Sequence, residues 1–157
     1  MARLSPGAEF TNMVMIQNPQ NGEVLVQRRR ISWKGIAFPG GHTEVGESFY
    51  DSAVREIKEE TGLDVKNLKC CGIVHWCNTK TGIRYIVFLY RTSDYSGTLI
   101  SETPEGEVFW TSLQSMKTLG LSPNMEKYLD IFTQSTFTEF FGSHDGENDR
   151  KCTYTEC

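Results

Sequence analysis

Cysteine is scarce in this sequence, with only five residues among 157, and no two of them form a Cys-x-x-Cys pair. Cys71, His75 and Cys77 lie close together along the chain, but their spacing is not a recognised zinc pattern. They belong to an apolar, strand-like run, where a free cysteine commonly acts as a small buried hydrophobic residue. The sequence therefore favours buried, reduced thiols over a zinc site, and reduced thiols suit a cytoplasmic protein.

Long apolar runs and an excess of positive charge are also missing. No segment approaches the roughly 20 apolar residues of a membrane-spanning helix, and residues 1–10 lack the apolar stretch of a signal peptide. The 16 Lys and Arg against 20 Asp and Glu give a net charge of -4, unlike the basic surface of a protein that binds nucleic acid polymers. We therefore expect a cytoplasmic protein with neither a membrane nor a nucleic acid polymer as partner.

The length of 157 residues fits one domain that buries its own hydrophobic core. Residues 1–9 are expected to form a flexible N-terminus. The chain becomes polar towards its end, which predicts a flexible polar C-terminal tail over residues 142–157. Residues 10–141 then form the folded domain.

Apolar periodicity and turn residues predict strands around two helices. Turn residues at 18–22 predict that the first two strands form a hairpin. The helices are predicted over residues 47–61 and 121–132, and Gly62 ends the first. Because strands and helices do not alternate regularly, the pattern favours an α/β sandwich with a mixed sheet. The predicted strands cover residues 10–16, 23–28, 65–76, 83–91 and 107–110.

Three glutamates share one face of the first predicted helix. Glu56, Glu59 and Glu60 stand at positions i, i+3 and i+4, which a helix places side by side. Like charges at this spacing repel, and their pKa values rise unless a cation is near. Carboxylate oxygens suit Mg²⁺ or Mn²⁺, and Mg²⁺ commonly shares its coordination sphere with substrate phosphates. Taken alone, such a charge run is more often a solvent-exposed helix face.

The residues around these glutamates favour the metal site. From residue 41 to 63 the order is Gly, five residues, Glu, seven residues, Arg-Glu, an aliphatic residue, any residue, Glu-Glu, any residue, Gly, an aliphatic residue. This pattern resembles the Nudix box at every specified position, and residues 38–41 are similar to the usual approach to that box. The resemblance implies a Nudix-type α/β/α sandwich with a central mixed β-sheet. The matching residues are Gly41, Glu47, Arg55, Glu56, Ile57, Glu59, Glu60, Gly62 and Leu63.

The Nudix resemblance also implies an activity and roles for single residues. It implies a hydrolase that cleaves a diphosphate bond in a nucleotide, with Mg²⁺ or alternatively Mn²⁺ as cofactor. The implied metal ligands are the Gly40 carbonyl, Glu56, Glu59 and Glu60. Bound metal ions neutralise phosphate charge and lower the pKa of the attacking water. Arg55 is expected to brace the loop and the carboxylates by ion pairs.

The identity of the general base is left open by the sequence. A carboxylate must help to remove a proton from the attacking water, and Nudix proteins differ in which glutamate does so. Glu56 or Glu59 within the box is one choice. Glu102 or Glu105, in the loop before the strand predicted at 107–110, is the other.

The chain resembles the MutT-like branch of the family, and its small size favours that branch. Members of this branch hydrolyse nucleoside triphosphates to the monophosphate and pyrophosphate. Some members of that branch prefer oxidised purines such as 8-oxo-dGTP. Arg28 and Arg29 fall where related enzymes place a basic group on the phosphates, although they also fit a solvated strand end. Asn124 falls where that branch places a base-reading Asn or Asp, although it also fits a simple helix start. An amide offers both a donor and an acceptor to a purine.

Aromatic residues offer a further way to hold a base. Phe38, Trp33 and Trp76 could stack on one, although core packing competes with this interpretation for at least two of them. The absence of proline between Pro39 and Pro104 argues against the ADP-ribose branch. Dinucleoside polyphosphates, nucleotide sugars and a non-catalytic Nudix nucleotide sensor remain alternatives, and the sequence does not decide on a homodimer.

Overall fold

The computed structural model describes residues 7–156, apart from the side chain of Arg150. Strands and helices alternate irregularly along this part of the chain. They are β1 (Ala8–Ile16), β2 (Val24–Arg29), β3 (Gly35–Ala37), α1 (Phe49–Thr61), β4 (Leu63–Lys66), β5 (Lys69–Asn78), β6 (Arg84–Thr92), β7 (Asp94–Gly97), β8 (Glu102–Thr103), β9 (Gly106–Thr111), α2 (Leu113–Met116), α3 (Met125–Thr133), β10 (Phe137–His144) and β11 (Asp149–Glu156).

The largest sheet has five strands in the order β1-β6-β5-β10-β11. β1 runs parallel to β6 and β10 parallel to β5, whereas the β5–β6 and β10–β11 pairs are antiparallel. A second, four-stranded antiparallel sheet has the order β3-β2-β9-β8, and β4 pairs with β7. The predicted α/β fold with a central mixed sheet is therefore confirmed.

Two hydrophobic cores lie on opposite faces of β1. Because successive strand side chains point to opposite faces, Met13 and Met15 enter one core while Val14 and Ile16 enter the other. The first core also contains the apolar side of α3, and the second contains that of α1. The two helices thus cover opposite faces of the strands, which makes the molecule a sandwich.

Both predicted helices begin later than expected. α1 starts at Phe49 rather than at residue 47, because Ser48 is its N-cap and accepts a hydrogen bond from the Asp51 amide at 3.0 Å. α1 ends as predicted at Gly62, which has a φ of 75°. α3 starts at Met125 rather than at residue 121, since Asn124 has a left-handed φ of 65°.

The predicted hairpin of the first two strands is wrong. Its turn exists, with the Asn18 amide bonded to the Glu23 carbonyl at 2.8 Å, but beyond the turn β1 and β2 join different sheets. The other edge of β1 is occupied by residues 39–43, whose backbone exchanges hydrogen bonds with β1 where β2 would have paired. The strand predicted over residues 65–76 is also two strands, divided near Asn67, whose φ is 52°.

The C-terminal segment differs from the predicted flexible tail. The predicted domain end at residue 141 falls inside β10, and β11 lies in the segment expected to be a tail. β-prone Thr153, Tyr154 and Thr155 account for β11, which pairs with β10. Residues 1–6 of the predicted N-terminal segment, and residue 157, lie outside the described residues. Within residues 7–156, no helix has the length and apolar character needed to cross a membrane.

Candidate active site

Residues 39–43 form a loop that lies along β1, and its two glycines stand where side chains would not fit. A Cβ at Gly40, whose φ is 152°, would collide with the backbone of Asn12 and Met13. A Cβ at Gly41 would collide with the carboxylate of Glu56. Glycine therefore allows this loop to reach both the strand and the helix.

The same loop presents backbone groups to α1. The Gly40 amide donates a hydrogen bond of 2.8 Å to Oε2 of Glu60. The Pro39 and Gly41 carbonyls accept hydrogen bonds of 2.9 Å from two amides of β1. The Gly40 carbonyl, between them, accepts no hydrogen bond from any described residue. It is therefore available to a ligand.

Arg55 joins α1 to the segment before it. Its Nε and Nη2 bond the two oxygens of Glu47 at 2.6 and 2.9 Å, and Nη2 also bonds the His42 carbonyl at 3.0 Å. Its Nη1 bonds Glu56 at 2.9 Å and Glu59 at 3.1 Å. Hydrogen bonding to Arg55 lowers the pKa of Glu47 to about 2, and bonding to Glu47 raises the pKa of Arg55. Arg55 thus fixes both the loop and one carboxylate of the site.

A small cavity of about 230 Å³, here called the carboxylate pocket, opens beside this loop. It gathers side chains from the end of β2, from α1 and from the turn between β8 and β9, together with the backbone of the glycine loop. The residues that matter for its chemistry are Arg29, Gly40, Gly41, Glu56, Glu60 and Glu105.

The carboxylate pocket holds more negative charge than its neighbours neutralise. Glu60 is only 6% exposed, and its burial and then the nearby Glu105 raise its pKa, against a smaller opposing effect of the Gly40 amide. Burial also raises the pKa of Glu56, although Arg55 counteracts this. A divalent cation would relieve the repulsion and favour the ionised form of these groups.

The donor set of the carboxylate pocket fits Mg²⁺ or Mn²⁺. Within residues 7–156, no group of three His, Cys, Asp or Glu side chains forms a ready-made metal cage. Mg²⁺ does not require one, since it usually keeps several waters and takes one or two carboxylates together with substrate phosphates. Glu56, Glu60 and the Gly40 carbonyl offer the hard oxygen atoms that such an ion prefers.

Two predicted site glutamates lie away from the carboxylate pocket. Glu59 has a side chain that is 60% exposed and points to Arg55, so the three helix glutamates do not converge as expected. Glu102, 58% exposed, is paired with Arg30. Glu105 lines the pocket instead, because the turn between β8 and β9 carries it over Glu56 and Glu60. Of the two candidate bases before β9, only Glu105 is brought to the site.

A larger cavity of about 590 Å³, here called the aromatic cleft, continues from the carboxylate pocket. Both cavities share Arg29, Ser32, Gly40, Gly41 and His42 as lining residues. Further from the carboxylates, the aromatic cleft is lined by Trp33, Trp76, Tyr85, Asn124, Tyr128 and the turn between β10 and β11. One continuous surface therefore leads from carboxylates to aromatic rings.

The predicted substrate residues separate into two groups. Arg29 and Asn124 line the aromatic cleft. Arg28 instead faces Glu107 at 3.5 Å and lies over the Phe109 ring at 5.6 Å, because neighbouring residues of β2 point to opposite faces. Phe38 is 1% exposed in the core. A ring buried there offers no face to a ligand, so the structure contradicts its predicted base contact.

Trp33 is the exposed ring at the entrance of the aromatic cleft. It is 53% exposed and stacks beside Tyr85 with a centroid separation of 6.5 Å. Trp76 lies deeper and donates a hydrogen bond of 2.8 Å to the Tyr128 hydroxyl. The left-handed φ of 51° at Trp33 turns the chain here.

The sequence interpretation missed the cleft wall formed by the turn between β10 and β11. Gly146, Glu147 and Asn148 of that turn line the aromatic cleft, in a segment predicted to be a flexible tail. The sequence signal for a strand was available at residues 153–155, where Thr, Tyr and Thr are all residue types that favour strands. Tyr128 was also missed, since its position within a predicted helix indicated only core packing.

Known proteins resemble this chain in both sequence and structure. The NUDIX domain family model matches residues 11–132. The Bacillus subtilis protein named Uncharacterized Nudix hydrolase YvcI is 32% identical over 112 residues, 69% of each chain. A Methanocaldococcus jannaschii ADP-ribose pyrophosphatase is 44% identical over 54 residues, 34% of this chain and 32% of that one. The crystal structure of the MutT protein from Bacillus halodurans has a TM-score of 0.74 at 20% identity, covering 93% of this chain and 97% of that one.

Proposed function

Because this chain belongs to the Nudix hydrolase family, which acts on pyrophosphate bonds of nucleotide derivatives, we propose that it is a Mg²⁺-dependent nucleoside triphosphate pyrophosphohydrolase. Its products would be the nucleoside monophosphate and pyrophosphate. The observation that carries this proposal is the continuity of the carboxylate pocket with the aromatic cleft across Arg29 and Gly40. A triphosphate chain fits the charged end of this surface and a base fits the aromatic end.

The family generally uses divalent metal ions, and we assign the metal site to the carboxylate pocket. Glu56, Glu60 and the Gly40 carbonyl would hold the ion, and Glu59 would join them by leaving Arg55. A bound ion would neutralise phosphate charge and lower the pKa of the attacking water. Arg29 would bind the phosphates. The location of its side chain in both cavities supports this role.

We assign proton removal from the attacking water to Glu105. A general base must lie within hydrogen-bond reach of that water, directly or through one more water. Glu105 lines the same pocket as Glu56 and Glu60, whereas Glu102 is paired with Arg30. Arg55 would act by holding Glu56 and the glycine loop in position.

The base of the substrate would lie in the aromatic cleft. Trp33 and Trp76 offer rings there, and Asn124 offers an amide. These features suit a purine, and 8-oxo-dGTP is the oxidised purine substrate that we propose. Three expectations from the sequence stay predictions: Mn²⁺ as an alternative ion, a cytoplasmic location, and the absence of nucleic acid polymer and membrane partners. A homodimer stays an alternative on which the sequence does not decide.

A substrate panel tests this proposal. Wild-type protein with Mg²⁺ would be incubated with 8-oxo-dGTP, the common dNTPs, ADP-ribose and diadenosine polyphosphates, and the products separated by ion-exchange chromatography. We expect pyrophosphate and a monophosphate, with 8-oxo-dGTP turned over fastest. Preferred cleavage of ADP-ribose, the substrate in the name of one relative, would replace our substrate assignment. Tight nucleotide binding without turnover would indicate a sensor.

A further inference from the structure

Asn12 connects β1 to both the glycine loop (residues 39–43) and α1. Its backbone amide donates a hydrogen bond of 2.9 Å to the Gly41 carbonyl. Its side-chain Nδ2 donates a hydrogen bond of 2.9 Å to Oγ of Ser52, which belongs to α1. Both side chains are buried. The loop and the helix therefore meet at Asn12.

The Ser52 hydroxyl carries this contact on to the loop. Its Oγ lies 3.3 Å from the carbonyl oxygen of His42. A carbonyl oxygen only accepts hydrogen bonds, so the single hydroxyl hydrogen must point to it. Oγ then accepts from Asn12, and only the NH₂ group of that amide can face it. The hydrogen bonds therefore run in one direction, from Asn12 through Ser52 to His42.

The His42 carbonyl is held by two donors from α1. Besides the serine hydroxyl, Nη2 of Arg55 bonds it at 3.0 Å. His42 follows directly after the two glycines of the loop, one of which offers its carbonyl to a ligand while the other packs against the carboxylate of Glu56. A shift of the His42 carbonyl would therefore displace the Gly40 carbonyl relative to Glu56.

The oxygen of the Asn12 amide brings no matching benefit to stability. Oδ1 is buried, and no described residue donates a hydrogen bond to it. A buried acceptor without a partner costs free energy of folding. Leucine has the same branching and no such oxygen. An amide at this position is therefore better explained by the hydrogen bond to Ser52 than by core packing, and such local conflicts are typical of functional sites.

We propose that Asn12 is a positioning residue of the metal site, which acts through Ser52 and His42 to hold the Gly40 carbonyl against Glu56. The inference rests on the metal site of the proposed function and extends it to a residue outside the Nudix box. Mg²⁺ demands nearly ideal octahedral geometry. A small displacement of the loop should therefore weaken metal binding.

Mn²⁺ binding without nucleotide tests the proposal, because Asn12 also lines the aromatic cleft and nucleotide affinity would mix two effects. Free Mn²⁺ is measured by electron paramagnetic resonance during a titration. We expect the Kd for Mn²⁺ to rise about tenfold in Asn12→Leu and in Ser52→Ala, the factor that one hydrogen bond supplies. The melting temperature of Asn12→Leu should stay within about 3 °C of wild type.

Thr92→Val is the matched control for the loss of a buried hydroxyl. The Thr92 hydroxyl donates a hydrogen bond of 2.6 Å to the Lys66 carbonyl, and neither residue lines the carboxylate pocket. Thr92→Val should lower the melting temperature and leave the Kd for Mn²⁺ unchanged. A wild-type Kd in folded Asn12→Leu and Ser52→Ala would overturn the proposal.

The double variant tests whether the two residues form one chain of hydrogen bonds. If they do, the chain is already broken in each single variant, and Asn12→Leu/Ser52→Ala should have the same Kd for Mn²⁺ as either of them. Two increases that multiply in the double variant would show that the residues act separately, which would overturn the proposed chain.

The same titration separates this inference from the hydrolase proposal. Weaker Mn²⁺ binding in both single variants supports the role of Asn12 even if no triphosphate is hydrolysed. Pyrophosphate release by wild type, together with unchanged Mn²⁺ affinity in both variants, counts against the inference and leaves the hydrolase proposal standing. A wild-type protein that binds no Mn²⁺ would overturn the inference together with the metal site.

Discussion

Neighbouring carboxyl groups in this site differ in whether a positive charge lies beside them. Glu47 is bonded by two nitrogens of Arg55, and Glu56 by one. Glu60 is buried, accepts a hydrogen bond from the Gly40 amide and lies beside the carboxyl group of Glu105. At the residue scale, Glu47 therefore supports the architecture of the site, whereas Glu60 is suited to a cation.

The Glu47–Arg55 ion pair predicts a pH-dependent stability. Ionised Glu47 stabilises the folded state, and its pKa is lowered there from 4.5 to about 2. This stabilisation is complete above the unfolded pKa and is lost as the pH falls towards the folded value. Glu47→Gln should therefore lower the free energy of unfolding at neutral pH, and the difference from wild type should shrink below pH 4.5.

Urea denaturation of both proteins at each pH measures this difference in the free energy of unfolding. A chelator is present because it removes any contribution of bound metal. Glu126→Gln, an exposed glutamate in the first turn of α3, is the control and should show little difference at any pH. A Glu47→Gln difference that is the same near neutral pH and in strong acid would mean that the ion pair is not its cause.

The two glutamates before β9 give a second prediction. Glu105→Gln should lower kcat by about 10²-fold or more, the contribution of a general base, because Glu105 lines the carboxylate pocket. Glu102→Gln should leave kcat within about twofold, since Glu102 forms an exposed ion pair of small energetic value. Steady-state kinetics with saturating Mg²⁺ measures both. The reverse order of effects would move the base to Glu102.

Sequence reasoning at this scale depended on a motif with fixed spacing. Helix geometry placed Glu56, Glu59 and Glu60 on one face, and the Nudix box added Arg55. Sequence reasoning could not choose between Glu102 and Glu105, since the position of each depends on a turn between two short strands. It also misplaced Phe38, because an aromatic ring beside glycines fits a core as well as a cleft.

At the scale of elements, the glycine loop and α1 act as one unit. The loop lies along β1 through backbone hydrogen bonds, and α1 contributes its apolar side to the core on the same strand. The distance between Gly41 and Glu56 is therefore set by how closely loop and helix both approach β1. The motif residues are adjacent in space because the loop and the helix both pack on β1.

Gly41→Ala tests this close approach. Its backbone φ is not in the left-handed region, so alanine is compatible with the loop, but its Cβ would displace the Glu56 carboxylate. We expect about a 10²-fold loss of kcat from a misplaced carboxylate, with little change in the melting temperature. Gly7→Ala, which meets no atom within 4 Å, is the control. Wild-type kcat in Gly41→Ala would show that the site tolerates a displaced Glu56.

The sequence indicated the helices better than the strand partners. α1 was recognisable from local periodicity and from Gly62. The partner of β1 is β6, far away along the chain, and no local pattern specifies such a pairing. The predicted hairpin failed for this reason, since a good turn at residues 18–22 does not require its flanking strands to stay paired.

At the scale of the whole molecule, the C-terminal hairpin completes both a sheet and a cleft. β11 covers the edge of β10, and Tyr154 packs against Phe137 and Phe140 with ring centroids 4.8 and 5.2 Å apart. The turn before β11 forms one wall of the aromatic cleft. Stability and substrate affinity should therefore depend on the same segment.

Removal of residues 145–157 tests this coupling. The loss of two aromatic contacts alone should lower the free energy of unfolding by at least about 1 kcal/mol. KM for a nucleoside triphosphate should rise, while the Mg²⁺ concentration that gives half-maximal activity stays near wild type, because the carboxylate pocket contains no residue of this segment. An unchanged KM in a folded truncated protein would exclude the hairpin from substrate binding.

The most direct test of the account is Mg²⁺-dependent pyrophosphate release by Glu60→Gln. The account places a divalent cation against the buried carboxylates, so the variant should lose about 10²-fold or more in kcat at every Mg²⁺ concentration. Circular dichroism should show a retained fold. Glu126→Gln, an exposed glutamate in the first turn of α3, should match wild type. If Glu60→Gln also releases pyrophosphate at the wild-type rate and with the wild-type Mg²⁺ dependence, the carboxylate pocket is not the metal site.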